Sequence, residues 1–222
     1  MSYTYQYPHP AVTVDIAIFS IRHDALNVLL IKRAQAPFAG EWALPGGFVG
    51  IDEALEVAAA RELNEETGVD AGYLEQLYTF GAPQRDPRER VISVAYFALI
   101  PSDRLEIRAA SDAEGVAWFP VSELPALAFD HDKILATALE RLTAKLDYST
   151  IAFQLMPATF TMAELRHVYE LVARSPIDKR NFSKRILALG VIEPTGDERR
   201  DGAHRPAMLY RVIDPSKVDV IK

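Results

Sequence analysis

Residues 47–69 constrain this chain more than any other stretch. They run Gly-Phe-Val-Gly-Ile-Asp-Glu-Ala-Leu-Glu-Val-Ala-Ala-Ala-Arg-Glu-Leu-Asn-Glu-Glu-Thr-Gly-Val. Gly40, Pro45, Gly46, Gly47 and Gly50 break up residues 36–51, so a loop is predicted there. From Asp52 to Thr67 the residues are mostly Ala, Leu, Glu and Arg. These are good helix formers, and a helix follows with Asp52 capping its start and Gly68 closing its end. Glu62, Glu65 and Glu66 fall at i, i+3 and i+4, which puts three carboxylates on one face. Like charges so close raise one another's pKa. A divalent cation relieves that conflict, and Mg²⁺ prefers carboxylate oxygens and also binds substrate phosphates. Arg61 is placed to pair with an acid of the cluster. The same spacing also describes an ordinary solvated acidic face, and the acids alone do not choose between the two.

The neighbouring segments set the fold class. Val12–Ile21 is rich in β-branched residues and reads as a strand, with Asn27–Lys32 as a second after a polar turn. Tyr73–Phe80, Val91–Ile100 and Val116–Val121 read as further strands. Lys133–Asp147 carries Leu135, Leu139, Leu142 and Leu146 at helical spacing, an amphipathic helix. After Tyr148-Ser149-Thr150 the pattern changes. Helices are predicted at Thr161–Ala173 and about Pro176–Leu189, then a strand at 191–193, a polar loop at 195–204 and a strand at 207–212. Helix, turn, helix and two strands around a polar loop is the order of a winged helix-turn-helix. Two units are therefore expected, residues 1–148 and 149–222.

Charge separates the same two units. The net charge is −7, which by itself weighs against a nucleic-acid partner. Residues 151–222 hold 12 basic against 9 acidic side chains, however, while residues 1–150 hold 12 against 22. Ordinary scatter over a short segment gives the same imbalance, so charge alone does not assign DNA binding. Cysteine is absent, which excludes disulfides, thiolate zinc sites, iron–sulfur clusters and cysteine nucleophiles. No run approaches the roughly 20 apolar residues of a membrane helix, and the first ten residues do not read as a secretory signal. The expected location is the cytoplasm.

Gly47, Glu53, Arg61-Glu62-Leu63, Glu65-Glu66 and Gly68-Val69 resemble the Nudix box, G-x5-E-x7-R-E-U-x-E-E-x-G-U with U aliphatic, at all nine specified positions. The resemblance implies an α/β (α+β) Nudix fold, a mixed sheet between helices, over roughly residues 10–148. By position it makes Glu62, Glu65 and Glu66 the ligands of Mg²⁺ or Mn²⁺. Glu53, Arg61, Glu65 and Glu66 become the catalytic set, and Gly47 lets the loop approach the helix closely. The family's usual reaction is hydrolysis of a nucleoside diphosphate linked to another moiety, by metal-assisted attack of water on phosphorus. The general base often lies outside the box, and Glu106, Asp112 and Glu114 are candidates from a loop between strands.

The flanks narrow the resemblance. Residues 37–49, 73–81, 85–88 and 90–96, together with Phe160–Leu165, Asp178–Phe182 and Arg205–Arg211, look like the Nudix-related transcriptional regulators, the NrtR family. Such proteins are typically dimeric repressors of NAD-metabolism genes, with a C-terminal winged helix and ADP-ribose in the Nudix pocket as the signal that releases DNA. The resemblance thus implies a double-stranded, palindromic DNA operator, a homodimer and ADP-ribose or a related nucleotide as partners, with no membrane. Lys179, Arg180, Asn181, Lys184 and Arg185 crowd one short helix, and Arg199, Arg200, His204 and Arg205 lie in the wing. The basic side chains suit phosphates, and Arg180 and Asn181 suit guanine and adenine edges. For the nucleotide, Lys32, Arg33, Arg85 and Arg88 are placed to hold phosphates. Trp42 and Phe80 are stacking candidates, although core packing is the commoner fate of such rings. His131 is expected to cap a helix or stay exposed. The other reading is a working Mg²⁺-dependent ADP-ribose pyrophosphatase that releases AMP and ribose 5-phosphate, since the box is intact.

Overall fold

The computed structural model of the chain describes residues 6–68, 72–101, 103, 115–200 and 206–221. Strands β1 (Ala11–Arg22) and β2 (Ala25–Lys32) are joined by a tight turn with His23 and Asp24 both in left-handed conformation. Short strands β3 (Trp42–Ala43) and β4 (Gly46–Phe48) precede helix α1 (Leu55–Thr67). Strands β5 (Tyr73–Phe80), β6 (Val91–Leu99) and β7 (Val116–Pro120) lead to helix α2 (His131–Tyr148). A 3-10 turn at Ile151–Leu155, strand β8 (Phe160–Thr161), helices α3 (Met162–Ala173) and α4 (Lys179–Ala188), and strands β9 (Ile192–Arg199) and β10 (Ala207–Val212) complete the order.

Strand β1 is central in a mixed seven-stranded sheet. It runs parallel to β6, with Ala11–Phe19 opposite Val91–Leu99, and antiparallel to β2 and β4. Successive strand residues point to opposite faces, and both faces here are apolar. Val14, Ile16 and Ile18 of β1 meet Val94, Tyr96 and Ala98 of β6 under Ala58, Ala59 and Leu63 of α1. Ala17 and Phe19, with Ala95, Phe97 and Leu99, face Ile134, Leu135, Ala138 and Leu142 of α2. The sheet therefore lies between helices, as the Nudix resemblance implies.

The second core does not stop at the end of α2. Leu142 and Leu146 continue into Ile151, Phe153, Phe160, Leu165, Val168, Tyr169, Phe182 and Ile186. Thr150 adds a bracket: its N–H donates to Asp219 O (3.0 Å), and its Oγ1 accepts from the Asp219 N–H (2.8 Å). In the C-terminal unit, β8, β10 and β9 form an antiparallel three-stranded sheet beside α3 and α4, the winged-helix arrangement. Thr161 and Glu164 close a capping box on α3, and Asp178 caps α4 by accepting the Asn181 N–H (2.8 Å). Among the described residues no helix is long and apolar enough to cross a membrane.

Three local expectations are corrected. Helix α1 starts at Leu55, and Ala54 rather than Asp52 holds the N-cap position, with no side-chain cap. The cause is Glu53, whose N–H donates to Gly50 O (3.1 Å) while its Oε2 accepts the Gly50 N–H (2.9 Å), so residues 50–53 form a turn. Loop 36–51 contains β3 and β4, recruited by pairing with β2 and β1. Strand β9 runs on to Arg199 through Pro194 and Gly196, because β10 pairs with both of its ends, Ile192–Pro194 and Glu198–Arg199, across an irregularity in between. Gly68 closes α1 in left-handed conformation as expected.

Because one core spans sheet and winged helix, Leu142→Ala is expected to destabilise the protein by about 2–5 kcal/mol and to lower a single calorimetric unfolding transition. Two separate transitions, only one of them shifted, would show that the halves unfold independently.

Candidate functional site

Two features meet along β4. The first is the acid cluster of α1. Arg61 is its hub: Nε and Nη2 donate to the two oxygens of Glu53 (2.7 and 3.0 Å), and Nη1 donates to Glu62 Oε1 (2.7 Å) and Glu65 Oε2 (3.0 Å). Nη2 also reaches the Phe48 carbonyl on β4 (3.3 Å). Hydrogen bonds from Arg61 and from the Gly50 backbone hold Glu53 down to about pKa 2. Burial pushes Glu62 up, against the pull of Arg61. Gly47 lies directly over Glu62: a Cβ there would stand 2.2 Å from Glu62 Oε1. A side chain there would push the Glu62 carboxylate aside, so glycine fits the close approach that was expected.

The expected relief of charge repulsion by a metal is thus met first by an arginine. Glu62 and Glu65 converge on the same guanidinium nitrogen, and Glu53 joins them. Glu66, next on the helix, is half-buried and has interactions of its own. Among the described residues no three acid or histidine side chains stand together as a metal-holding group. The donors suit a hard divalent cation in kind, and two of them already face one point.

The second feature is a cavity of about 170 Å³ on the other side of β4, lined by Gly46, Gly47 and Phe48 together with Thr13, Asp15, Ile31, Arg33, Leu44, Arg85, Asp86, Arg88, Phe129 and His131. Its floor is a buried polar network. Asp15 on β1 accepts from Ser93 Oγ (2.5 Å) and Arg85 Nη2 (3.2 Å). Arg85 also donates to both oxygens of Asp130 (2.8 and 3.3 Å). His131 Nδ1 accepts the Leu44 N–H (2.9 Å), which leaves Nε2, 3.5 Å from Asp15, to carry the proton. Burial lowers the His131 pKa, so the ring is neutral.

Of the four basic residues expected to hold phosphates, three line this cavity and Lys32 does not. Lys32 falls between Ile31 and Arg33, and strand alternation turns it to the opposite face. Arg85 is buried with only 4% of its side chain exposed and is engaged by two carboxylates, so its first task is structural. Arg88 is more open and grips Asp86 through Nε and Nη2 (3.0 and 2.7 Å). Trp42 packs edge-on against Phe119, and Phe80 against Tyr78, so neither lines the cavity. His131 is buried rather than exposed, since it answers a backbone N–H and a carboxylate from distant parts of the chain. Asp15, Phe129 and Asp130 were not singled out from sequence. Asp15 carried the one available signal, an acid inside an apolar strand. Glu106, Asp112 and Glu114 lie outside the described residues.

On α4, Phe182 and Ile186 are buried one turn apart, and Lys179, Arg180, Asn181, Lys184 and Arg185 are exposed. Arg180 and Lys184, at i and i+4, share the outward face with Leu187. Arg185 turns aside and lies over the Tyr169 ring, 5.9 Å from its centroid. As the spacing predicts, the cations do not share one face. Arg199 is paired with Glu164 of α3, Arg200 is exposed, and His204 and Arg205 lie outside the described residues.

The Nudix domain family matches residues 9–141, and the NrtR DNA-binding winged helix domain family matches residues 152–212. The ADPR responsive transcriptional repressor NtrR of Acinetobacter baylyi is 41% identical over 209 residues, covering 92% of this chain and 83% of its own. The chain belongs to the Nudix-related transcriptional regulator (NrtR) family. Shewanella oneidensis NrtR complexed with a 27mer DNA superposes with a TM-score of 0.83 at 38% identity, covering 92% of this chain and 94% of that one. The NUDIX domain of the same NrtR complexed with ADP ribose has a TM-score of 0.56 at 38% identity, covering 61% and 90%. The ADP-ribose pyrophosphatase of Methanocaldococcus jannaschii is 43% identical over 129 residues, 58% of this chain and 73% of its own. As a class, Nudix hydrolases like that one depend on a divalent metal.

The buried neutral His131 gives this NrtR family member a defined pH response. Its folded pKa lies below the ordinary 6.5, so the unfolded chain takes up a proton first as pH falls. Its share of stability is present above about pH 6.5 and lost as pH falls toward the lowered folded value. Urea unfolding at about pH 7 and pH 5 is expected to show a steeper loss in the wild type than in His131→Gln. Equal slopes would place the histidine in solvent.

Proposed function

We propose that this protein is a DNA-binding transcriptional repressor that senses ADP-ribose, or a close nucleoside diphosphate sugar, and acts on genes of NAD or related metabolism. One observation carries the reading: the family likeness runs through both units, and each unit presents a surface suited to its task. Residues 149–222 present the outward Arg180–Lys184 face of α4 in a winged-helix frame, and residues 1–148 present an arginine-lined cavity beside the box. ADP-ribose enters the cavity end of the Nudix unit, with Arg33 and Arg88 toward its phosphates. Arg180 and Asn181 read base edges, while Lys179, Lys184, Arg185 and Arg205 meet phosphates. The protein acts in the cytoplasm as a homodimer, and its operator is palindromic with half-sites one or two DNA turns apart.

Titration of the protein against its own upstream DNA, with and without ADP-ribose, tests this at stated salt, because phosphate contacts dominate affinity. Specific binding relieved by ADP-ribose is the expected outcome. Arg180→Ala is expected to weaken operator binding about tenfold or more, from a loss of roughly 1–3 kcal/mol, with ADP-ribose affinity unchanged. An unchanged operator affinity would remove α4 from the DNA interface.

A second reading, residual hydrolysis to AMP and ribose 5-phosphate, is favoured by the intact box and by the 43% identity to an ADP-ribose pyrophosphatase. Glu62, Glu65 and Glu66 would hold Mg²⁺ or Mn²⁺, which supplies charge neutralisation at the phosphates. Glu53 and Arg61 keep those acids oriented. Any AMP formation is expected to disappear in Glu65→Gln with Glu66→Gln, and persistence of the wild-type rate would reassign the metal ligands.

A further inference from the structure

Phe129 stands at the cavity with its backbone in the left-handed region, φ 56°. Phe38 does the same at φ 64°, and the two rings pack edge-on with centroids 4.8 Å apart. Bulky residues rarely adopt this conformation, and such strain collects at ligand clamps. The strained backbone sets one ring beside two cations. The Arg33 guanidinium lies 4.7 Å from the Phe129 centroid and that of Arg88 lies 5.8 Å from it. Arg88 also lies 5.4 Å from the Phe48 ring. Both guanidinium groups are fixed at Nε and Nη2: Arg33 by the Pro37 carbonyl (2.9 Å) and the Gln35 carbonyl (3.4 Å), Arg88 by Asp86. Burial and then the charge of Arg88 hold Arg33 below the ordinary guanidinium value. Asp86 already offsets the charge of Arg88, whereas Arg33 bonds to backbone carbonyls, so an anion seated by both guanidinium groups gains net attraction.

Size decides which part of a ligand lies there. A whole drug-sized ligand needs roughly 300–1,000 Å³, and this cavity has about 170 Å³. A cavity of this size suits one part of a nucleoside diphosphate sugar, and the guanidinium groups of Arg33 and Arg88 in its lining suit the diphosphate. We infer that Phe129 is a positioning residue that holds Arg33 and Arg88 as a two-guanidinium seat for the diphosphate bridge. The inference rests on the nucleotide-sensing reading above. It adds a requirement for the aromatic ring, since the ring quadrupole attracts a guanidinium over its face.

The test is calorimetric titration of the full chain with ADP-ribose and, separately, with inorganic pyrophosphate. Phe129→Leu keeps an apolar side chain and removes the ring. It is expected to weaken both ligands roughly tenfold, while Phe129→Tyr stays within about twofold of wild type. Arg33→Lys, which keeps the charge and loses the flat face, should show a similar loss for both ligands. Operator binding without ligand is read alongside as the check that Phe129→Leu is folded. Wild-type pyrophosphate affinity in Phe129→Leu would overturn the proposal, as would an equal loss in Phe129→Tyr. A wild-type protein that binds pyrophosphate and not ADP-ribose would sink the sensing reading and leave the seat standing. One that binds ADP-ribose without competition from pyrophosphate would remove the seat and leave sensing intact. Binding of neither would remove both.

Discussion

A carboxylate buried on the central strand organises the rest of the Nudix unit. Asp15 sits on β1 with almost no contact with water. An ionised carboxylate in such a place is costly unless it is paired and hydrogen-bonded. Arg85, Ser93 and His131 meet that demand from three separate parts of the chain. Arg85 needs a second acid, and Asp130 supplies it at the residue that begins α2. One buried charge thus fixes the 85–88 segment, the start of α2 and, through the His131 bond to Leu44, the approach to β4. Breaking one member leaves an unpaired buried charge, which is costlier than never having built the network.

Strand β4 joins that network to the acid cluster. Its three residues line the cavity on one side, and on the other Gly47 presses on Glu62 while the Phe48 carbonyl accepts from Arg61. The hub at Arg61 is partly exposed, so its ion pairs matter more for geometry than for stability. Three carboxylates held by one planar fork keep fixed directions, as a bidentate guanidinium allows and a lysine ammonium does not. The cavity and the cluster thus share a strand only three residues long.

The winged helix is attached by apolar packing rather than by a flexible linker. The side chains of α2 that cover the sheet and those that meet Ile151, Phe160 and Leu165 belong to one continuous core. Polar contacts add to it at the edge: His167 of α3 meets Asp24 in the β1–β2 turn (2.5 Å), and Thr143 Oγ1 donates to the Val172 carbonyl (3.4 Å).

The sequence by itself determined the four helices, the longer strands and the family of the chain. The β-branched run Val12–Ile21 marked a strand, helix-forming composition marked α1, and leucine spacing marked α2, because these patterns depend on local residue types and periodicity. The box was legible as a fixed pattern of residue types at fixed spacing, and the basic helix as a concentration of Lys and Arg in one short segment. Tertiary structure alone decided which charges met. It gave Arg61 three acids, turned Lys32 away while keeping Arg33, buried His131 beside Asp15, and set Phe129 beside two arginines. Those partners lie tens of residues apart, and a buried charge or ring takes whatever partner the packed chain brings to it, which no local pattern encodes.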